Sequence, residues 1–227
     1  MKKSGKALLL TLAIILAFSL MLSGCGKEEP SDFAKTHVQG LLDGMYKGQY
    51  NKDLGEVSDV TKEDIEDMYE LNIELEAEWF VDYFELADLF EVGEVSEESM
   101  DSIEEFYKKV YAKAKYEVHS SVKQDGNYLI DVDVYPIDII ERFHEEDSDK
   151  LFDDFLARIE AGEFDELSDE EVNDEFIKSM LEMLEARIEK IGYSDKETVT
   201  FTMVKDPDDG LYFVEDELMA DAYIITY

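Results

Sequence analysis

Two turns rich in aspartate and glycine set the limits on this fold. Gln124-Asp125-Gly126-Asn127 separates the β-prone runs 115–122 and 128–135. Asp-Gly between alternating apolar residues is a strong hairpin signal, because the tight two-residue turn needs positive φ at both central positions. Asp206-Pro207-Asp208-Asp209-Gly210 does the same between 198–204 and 211–214. Ahead of each pair the apolar spacing is helical. The pattern predicts an α+β fold, helix-rich, with two antiparallel β-hairpins.

The helical stretches can be placed from their periodicity and caps. Phe33, Val38, Leu41, Leu42, Met45 and Tyr46 recur at helical spacing after a possible cap at Ser31 or Asp32. Gly40, Gly44 and Gly48 weaken that helix, or mark the close approach of another element, and Tyr50 folds back after Gly48. Thr61 with Asp64 opens a helix expected to run from Lys62 to about Phe90, with a break near Glu78 allowed and Gly93 as its stop. Its two apolar stripes make it central. Ser96 opens a third helix. The second half holds one or two helices up to Gly162, then another from Ser168 to about Gly192, and a short last strand at 222–226.

The halves echo each other. Each reads helix, Gly-x-aromatic, helix, strand, Asp-Gly turn, strand, with Gly48-Gln49-Tyr50 answered by Gly162-Glu163-Phe164. This suggests a duplicated helices-then-hairpin unit, with halves 32–135 and 137–227. The alternative is that glycine-ended helices and Asp-Gly hairpins are simply common. On Gly48-Gln49-Tyr50 and Asp125-Gly126 the layout resembles cystatin-like or nuclear-transport-factor-2-like units, and small exported lipoproteins of Gram-positive gut bacteria with no assigned activity. That resemblance implies no functional residues.

The N-terminus carries a separate message. Lys2, Lys3 and Lys6 precede an apolar run from Ala7 to Met21, the length of a secretory h-region and short of the roughly 20 residues of a membrane span. Leu22-Ser23-Gly24-Cys25 follows, ending in the chain's one cysteine. The segment resembles a bacterial lipoprotein signal with its lipobox. The resemblance implies diacylglycerol on the Cys25 sulfur, cleavage between Gly24 and Cys25, a signal peptide at 1–24, a tether at 25–31 and an extracytoplasmic domain at 32–227. Two acyl chains hold stably where one is marginal, since each buried CH₂ contributes about 0.8 kcal/mol. The alternative is an ordinary secretory signal with an incidental cysteine.

Charge narrows the partners. The chain carries −37, and −40 once Lys2, Lys3 and Lys6 are removed with the signal. A surface this acidic repels nucleic acid, whose recognition needs a basic footprint, and favours cations or basic partners. It also keeps a crowded surface soluble, which is the plainer reading.

No constellation of catalytic type is visible. His37, His119 and His144 lack partners at zinc spacing, and Cys25 is committed to lipid. The 206–210 loop has its glycine one position early for an EF-hand and lacks the bidentate glutamate. There is no Gly-x-Ser-x-Gly, Ser-x-x-Lys or phosphate loop. Glu78, beside Trp79 and Phe80, is the one carboxylate that an apolar pocket would tune, and a solvated charge next to core aromatics is the simpler account. Trp79, Phe80, Tyr83 and Phe84 form the densest aromatic cluster, read either as core or as the lining of a ligand groove. The sequence thus points to a non-catalytic, membrane-tethered binding module with no cofactor or metal, held to the membrane through Cys25 and meeting an envelope protein or ligand, or to a small-molecule or cation-binding lipoprotein with an aromatic-lined cavity.

Overall fold

The computed structural model describes residues 32–57, 60–205, 212–214 and 224–226. These form seven helices and five strands: α1 (Phe33–Lys47), α2 (Lys52–Val57), α3 (Lys62–Tyr83), α4 (Glu97–Tyr111), β1 (Lys115–Val118), β2 (Val122–Gln124), β3 (Asn127–Tyr135), α5 (Ile139–Glu146), α6 (Ser148–Glu160), α7 (Asp169–Ile188), β4 (Glu197–Lys205) and β5 (Tyr212–Val214). A single 3-10 turn lies at Leu89–Glu91. The fold is helix-rich α+β, as the turn and helix pattern predicts.

The described residues divide into two compact units built from interleaved segments. One takes the residues up to Asn72 with those of 114–136 and 195–224; the other takes 73–113, 137–194 and the residues from 225 on. The chain passes between units five times, and the step from Pro136 to Ile137 is one of them. The units therefore do not follow the sequential halves 32–135 and 137–227.

The first unit is a sheet covered by α1. Strand order is β1-β3-β4-β5, all antiparallel, and β2 also pairs with β3. The run 115–122, expected as one strand, is two short strands that share β3 as partner. Asp125 and Gly126 both take positive φ (52° and 94°), as the hairpin turn requires. The two hairpins belong to one sheet because β3 pairs with β4, placing Ile130 opposite Phe201 and Val132 opposite Val199. Ile130, Val132 and Val134 alternate on the buried face with Phe201 and Met203, the period of two that a one-sided sheet demands. Phe33 of α1 meets Tyr128 and Tyr212 edge-on, with centroids 6.1 and 5.6 Å away.

The glycine stripe of α1 is a packing surface. A Cβ on Gly40 would stand 2.8 Å from the Cβ of Leu54, and one on Gly44 would stand 2.6 Å from the Cδ1 of Ile65. Leu54, Val60, Ile65 and Met68 form a buried cluster there, joined by Met45 and by Tyr50, which does fold back. Gly48 ends α1 in the left-handed region (φ 59°), its N–H donating to the Gly44 carbonyl and that of Gln49 to the Asp43 carbonyl. Asp32 sits at the N-cap but its side chain caps nothing. The reciprocal Thr61–Asp64 bonds (2.8 and 3.2 Å) start α3.

The second unit is helical, with α7 packing against α4, α5, α6 and the 3-10 turn. Ser168 and Glu171 form a complete capping box at its start, and Ser96 caps α4 through the Ser99 N–H. The core is aromatic: Phe80 lies edge-on to Tyr107 (6.0 Å) and Phe155 edge-on to Phe176 (5.1 Å). The helix expected to reach Phe90 stops at Tyr83. Glu85 turns left-handed (φ 52°) and the Leu86 N–H reaches back to the Val81 carbonyl (3.0 Å), a glycine-type helix stop made without glycine. Of the last strand expected at 222–226, Ile225 makes one isolated bridge to Ile137, and Ala222 and Tyr223 lie outside the described residues. The loop 206–210 and the segment with Gly24 and Cys25 also lie outside them.

Candidate functional site

The aromatic cluster at the end of α3 converges on Phe84, whose ring meets Phe80 at 4.7 Å and Tyr83 at 4.9 Å, while its members differ in exposure. Successive residues of a helix point about 100° apart, and here that step separates Trp79 from Phe80. Phe80 is wholly buried and packs on Phe84, Phe106 and Tyr107, while Trp79 is 53% exposed. Tyr83 and Phe84, at the helix end, also form part of the wall of a cavity of about 450 Å³ in the helical unit, which neither Trp79 nor Phe80 lines.

That cavity is built from four stretches of chain. Phe143 of α5, Leu151 of α6, and Phe176 and Met180 of α7 are buried and form its apolar depth. Tyr83, Phe84 and Phe152 stand nearer the opening, with Tyr83 38% and Phe152 44% exposed. Phe84 meets Phe143 edge-on at 6.0 Å. The polar lining is Glu85, His144, Ser148 and Asp149. Glu85 has a left-handed backbone (φ 52°), and Asp149 lies in the first turn of α6. Ser148 Oγ donates to the His144 carbonyl at 2.6 Å. A mostly apolar pocket of a few hundred Å³ with aromatic walls and a few polar groups is the usual form of a small-ligand site.

A helical signal for this cavity exists in α6. Leu151-Phe152 and Phe155-Leu156 give more apolar arc than one buried stripe can use. Leu151 and Phe155 go into the core, leaving Phe152 and Leu156 (53% exposed) outside. The other lining residues come from the end of α3, α5 and α7, too far apart in sequence to read as one cluster.

The remaining titratable groups do other work. Glu78 is exposed on α3 and is not enclosed by its aromatic neighbours. His37 is buried on the inner side of α1, and burial pushes it down to about 4. Asp133 accepts from Lys196 Nζ (2.7 Å), Thr198 Oγ1 (2.6 Å) and His119 Nε2 (3.1 Å), and these donors hold its carboxyl well below the usual carboxylate range. Arg187 Nη2 binds Glu146 at 2.9 Å and its Nε donates to Asp147 at 2.6 Å, tying α7 to the α5–α6 junction. Among the described residues no group of three or more His, Cys, Asp or Glu is placed to hold a metal ion.

A second concavity, of about 700 Å³, runs between α4 and α7. Glu98, Asp101 and Glu105 of α4 and five acidic side chains of α7 line it over Ile177 and Leu181. Its two lysines are already paired, Lys109 with Glu185 (2.6 Å) and Lys178 with Glu175 (3.4 Å).

No helix of the described residues is long and apolar enough to cross a membrane. No protein-family model matches the chain, and no curated protein matches it. Among solved structures the fold is similar to that of ycdA from Bacillus subtilis subsp. subtilis str. 168, described as a candidate lipoprotein, with a TM-score of 0.57 and 15% sequence identity. The match covers 87% of this chain and 57% of that one, so the chain spans little more than half the length of this neighbour. At that identity the likeness is one of fold, and the fold is one that a candidate lipoprotein also uses.

Proposed function

We propose that the chain is an extracytoplasmic lipoprotein, anchored by acyl chains on Cys25, that works by binding a small ligand in the aromatic cavity of its helical unit and not by catalysis. The observation that carries the binding reading is the cavity itself. Four buried apolar side chains from α5, α6 and α7 make its depth, and aromatic rings stand exposed at its opening. An exposed Phe152 and Tyr83 cost hydration that a bound apolar group would relieve. The anchoring reading is supported by Leu22-Ser23-Gly24-Cys25 after a basic and then apolar start, and by a fold shared with a candidate lipoprotein.

Each reading has its own test. Wild type should partition with the membrane and take up a radiolabelled fatty acid, and Cys25→Ser should do neither; membrane retention of Cys25→Ser would remove the anchor. An environment-sensitive apolar dye should brighten on the full chain, and Phe152→Ala should weaken it several-fold. An unchanged signal would remove the cavity as the binding element. A second reading, docking of a basic envelope protein, rests on the acidic groove between α4 and α7, whose charge would complement such a partner.

A further inference from the structure

The cavity's lining carries more acid than base. Among the described residues Glu85 and Asp149 are its acidic groups, His144 its imidazole, and no lysine or arginine lines it. The bases nearest in sequence are turned elsewhere: Lys150 pairs with Asp154, and Arg142 with Asp138 and Glu146. The Ser148 hydroxyl is spent on the His144 carbonyl. Acceptors therefore dominate the rim, donors are scarce, and aromatic faces stand beside them at Tyr83 and Phe152.

That combination selects for charge. An anion entering the cavity would face two carboxylates against the single imidazole of His144, with no lysine or arginine to offset them. A neutral apolar molecule could fill the depth but would leave both carboxylates to water. A cation with an apolar body satisfies both regions, because an ammonium is attracted by carboxylates and by aromatic faces alike. Resting on the reading of this cavity as the binding element, we infer that its ligand is an organic cation, an amine or quaternary ammonium whose apolar body lies on Phe143, Phe176 and Met180 and whose head sits between Glu85, Asp149 and the Tyr83 and Phe152 rings.

The test uses three probes of similar size: 3-phenylpropylammonium, 3-phenylpropanol and 3-phenylpropanoate. They are titrated against the full chain in nanodiscs of zwitterionic phosphatidylcholine, with empty nanodiscs as blank. The ammonium should bind about tenfold tighter than the alcohol, and the carboxylate more weakly than either. Glu85→Gln with Asp149→Asn should bring ammonium and alcohol within about twofold while the alcohol's own affinity holds. Because the whole chain is acidic, Glu182→Gln with Glu185→Gln, in the α4–α7 groove, is the control and should leave the ratio intact. Equal binding of ammonium and alcohol to wild type overturns the inference but leaves the cavity reading standing. So does a preference that survives the rim variant, or one that the groove variant lowers as much. Binding of none of the three overturns the cavity reading and the inference with it.

Discussion

Gly40 and Leu54 pack so closely that a Cβ on the glycine would fall 2.8 Å from the Leu54 Cβ, an atom fixed by its own backbone. Gly44, one turn on, would meet Ile65 Cδ1 at 2.6 Å and Met68 Cε at 2.8 Å, both the far ends of side chains that can swing aside. Alanine in a helix interior gains about 0.5–1 kcal/mol over glycine, and overpacking costs about 1–3 kcal/mol. Gly40→Ala should therefore destabilise by about 1–2 kcal/mol. Gly44→Ala should stay within about 1 kcal/mol of wild type. Urea unfolding of both variants decides it; equal effects would mean that the Gly40 contact is no tighter than its neighbour.

That packing was legible because Gly40, Gly44 and Gly48 recur every fourth residue on an otherwise apolar helix. So were the starts of α3, α4 and α7, where Thr61, Ser96 and Ser168 cap, and the turn at Asp125-Gly126, where chemistry and position coincide. What escaped were features that depend on distant partners or on a residue acting against type. β3 pairs with β4 across some 70 residues, and nothing local encodes that pairing. Phe143, Phe152 and Phe176 converge only after three helices pack. Trp79 and Phe80 look like one cluster along the sequence, and the helical twist sends them to different surroundings.

The end of α3 is the sharpest instance of a residue acting against type. Glu85 takes the left-handed conformation normally given to glycine, so the first visible stop is Gly93, eight residues late. A non-glycine residue held there costs about 1–3 kcal/mol, part of which glycine returns through the greater entropy of the unfolded chain. Glu85→Gly should stabilise by about 1 kcal/mol, while Glu85→Ala, which keeps the strain, should not. The paired measurement is the urea midpoint of each. A gain in both would point to removal of charge rather than relief of the backbone.

Asp133 offers a test by charge. Lys196 just before β4, Thr198 within it and His119 just past β1 all donate to it, and its carboxyl is held below the ordinary range, the Lys196 contact foremost. A carboxyl lowered on folding contributes stability that is present above its unfolded value near 4 and is lost as pH falls through the lower folded value. Asp133→Asn should be less stable than wild type at neutral pH, and the gap should narrow below about pH 4. A gap independent of pH would make the role of Asp133 one of shape alone.

His37 acts in a higher pH window than Asp133. It lies on α1, 3% exposed, with its ring 6.3 Å from that of Phe33 and its Nδ1 without a hydrogen-bond partner among the described residues. Burial favours the neutral ring and pushes it down to about 4, against about 6.5 in an unfolded chain. Above that unfolded value neither state holds the proton and stability is full. As pH falls from about 6.5 toward 4 the unfolded chain takes up a proton that the folded chain refuses, so stability declines by about 1.4 kcal/mol per pH unit, or ~3 kcal/mol over the window. Most carboxylates do not titrate above about pH 5.5, so the upper part of that slope isolates histidine. Urea unfolding from pH 7 to 5 should show the decline in wild type and a much flatter profile in His37→Leu. Identical slopes in the two proteins would show that His37 is charged in the fold, and so not enclosed as it stands here.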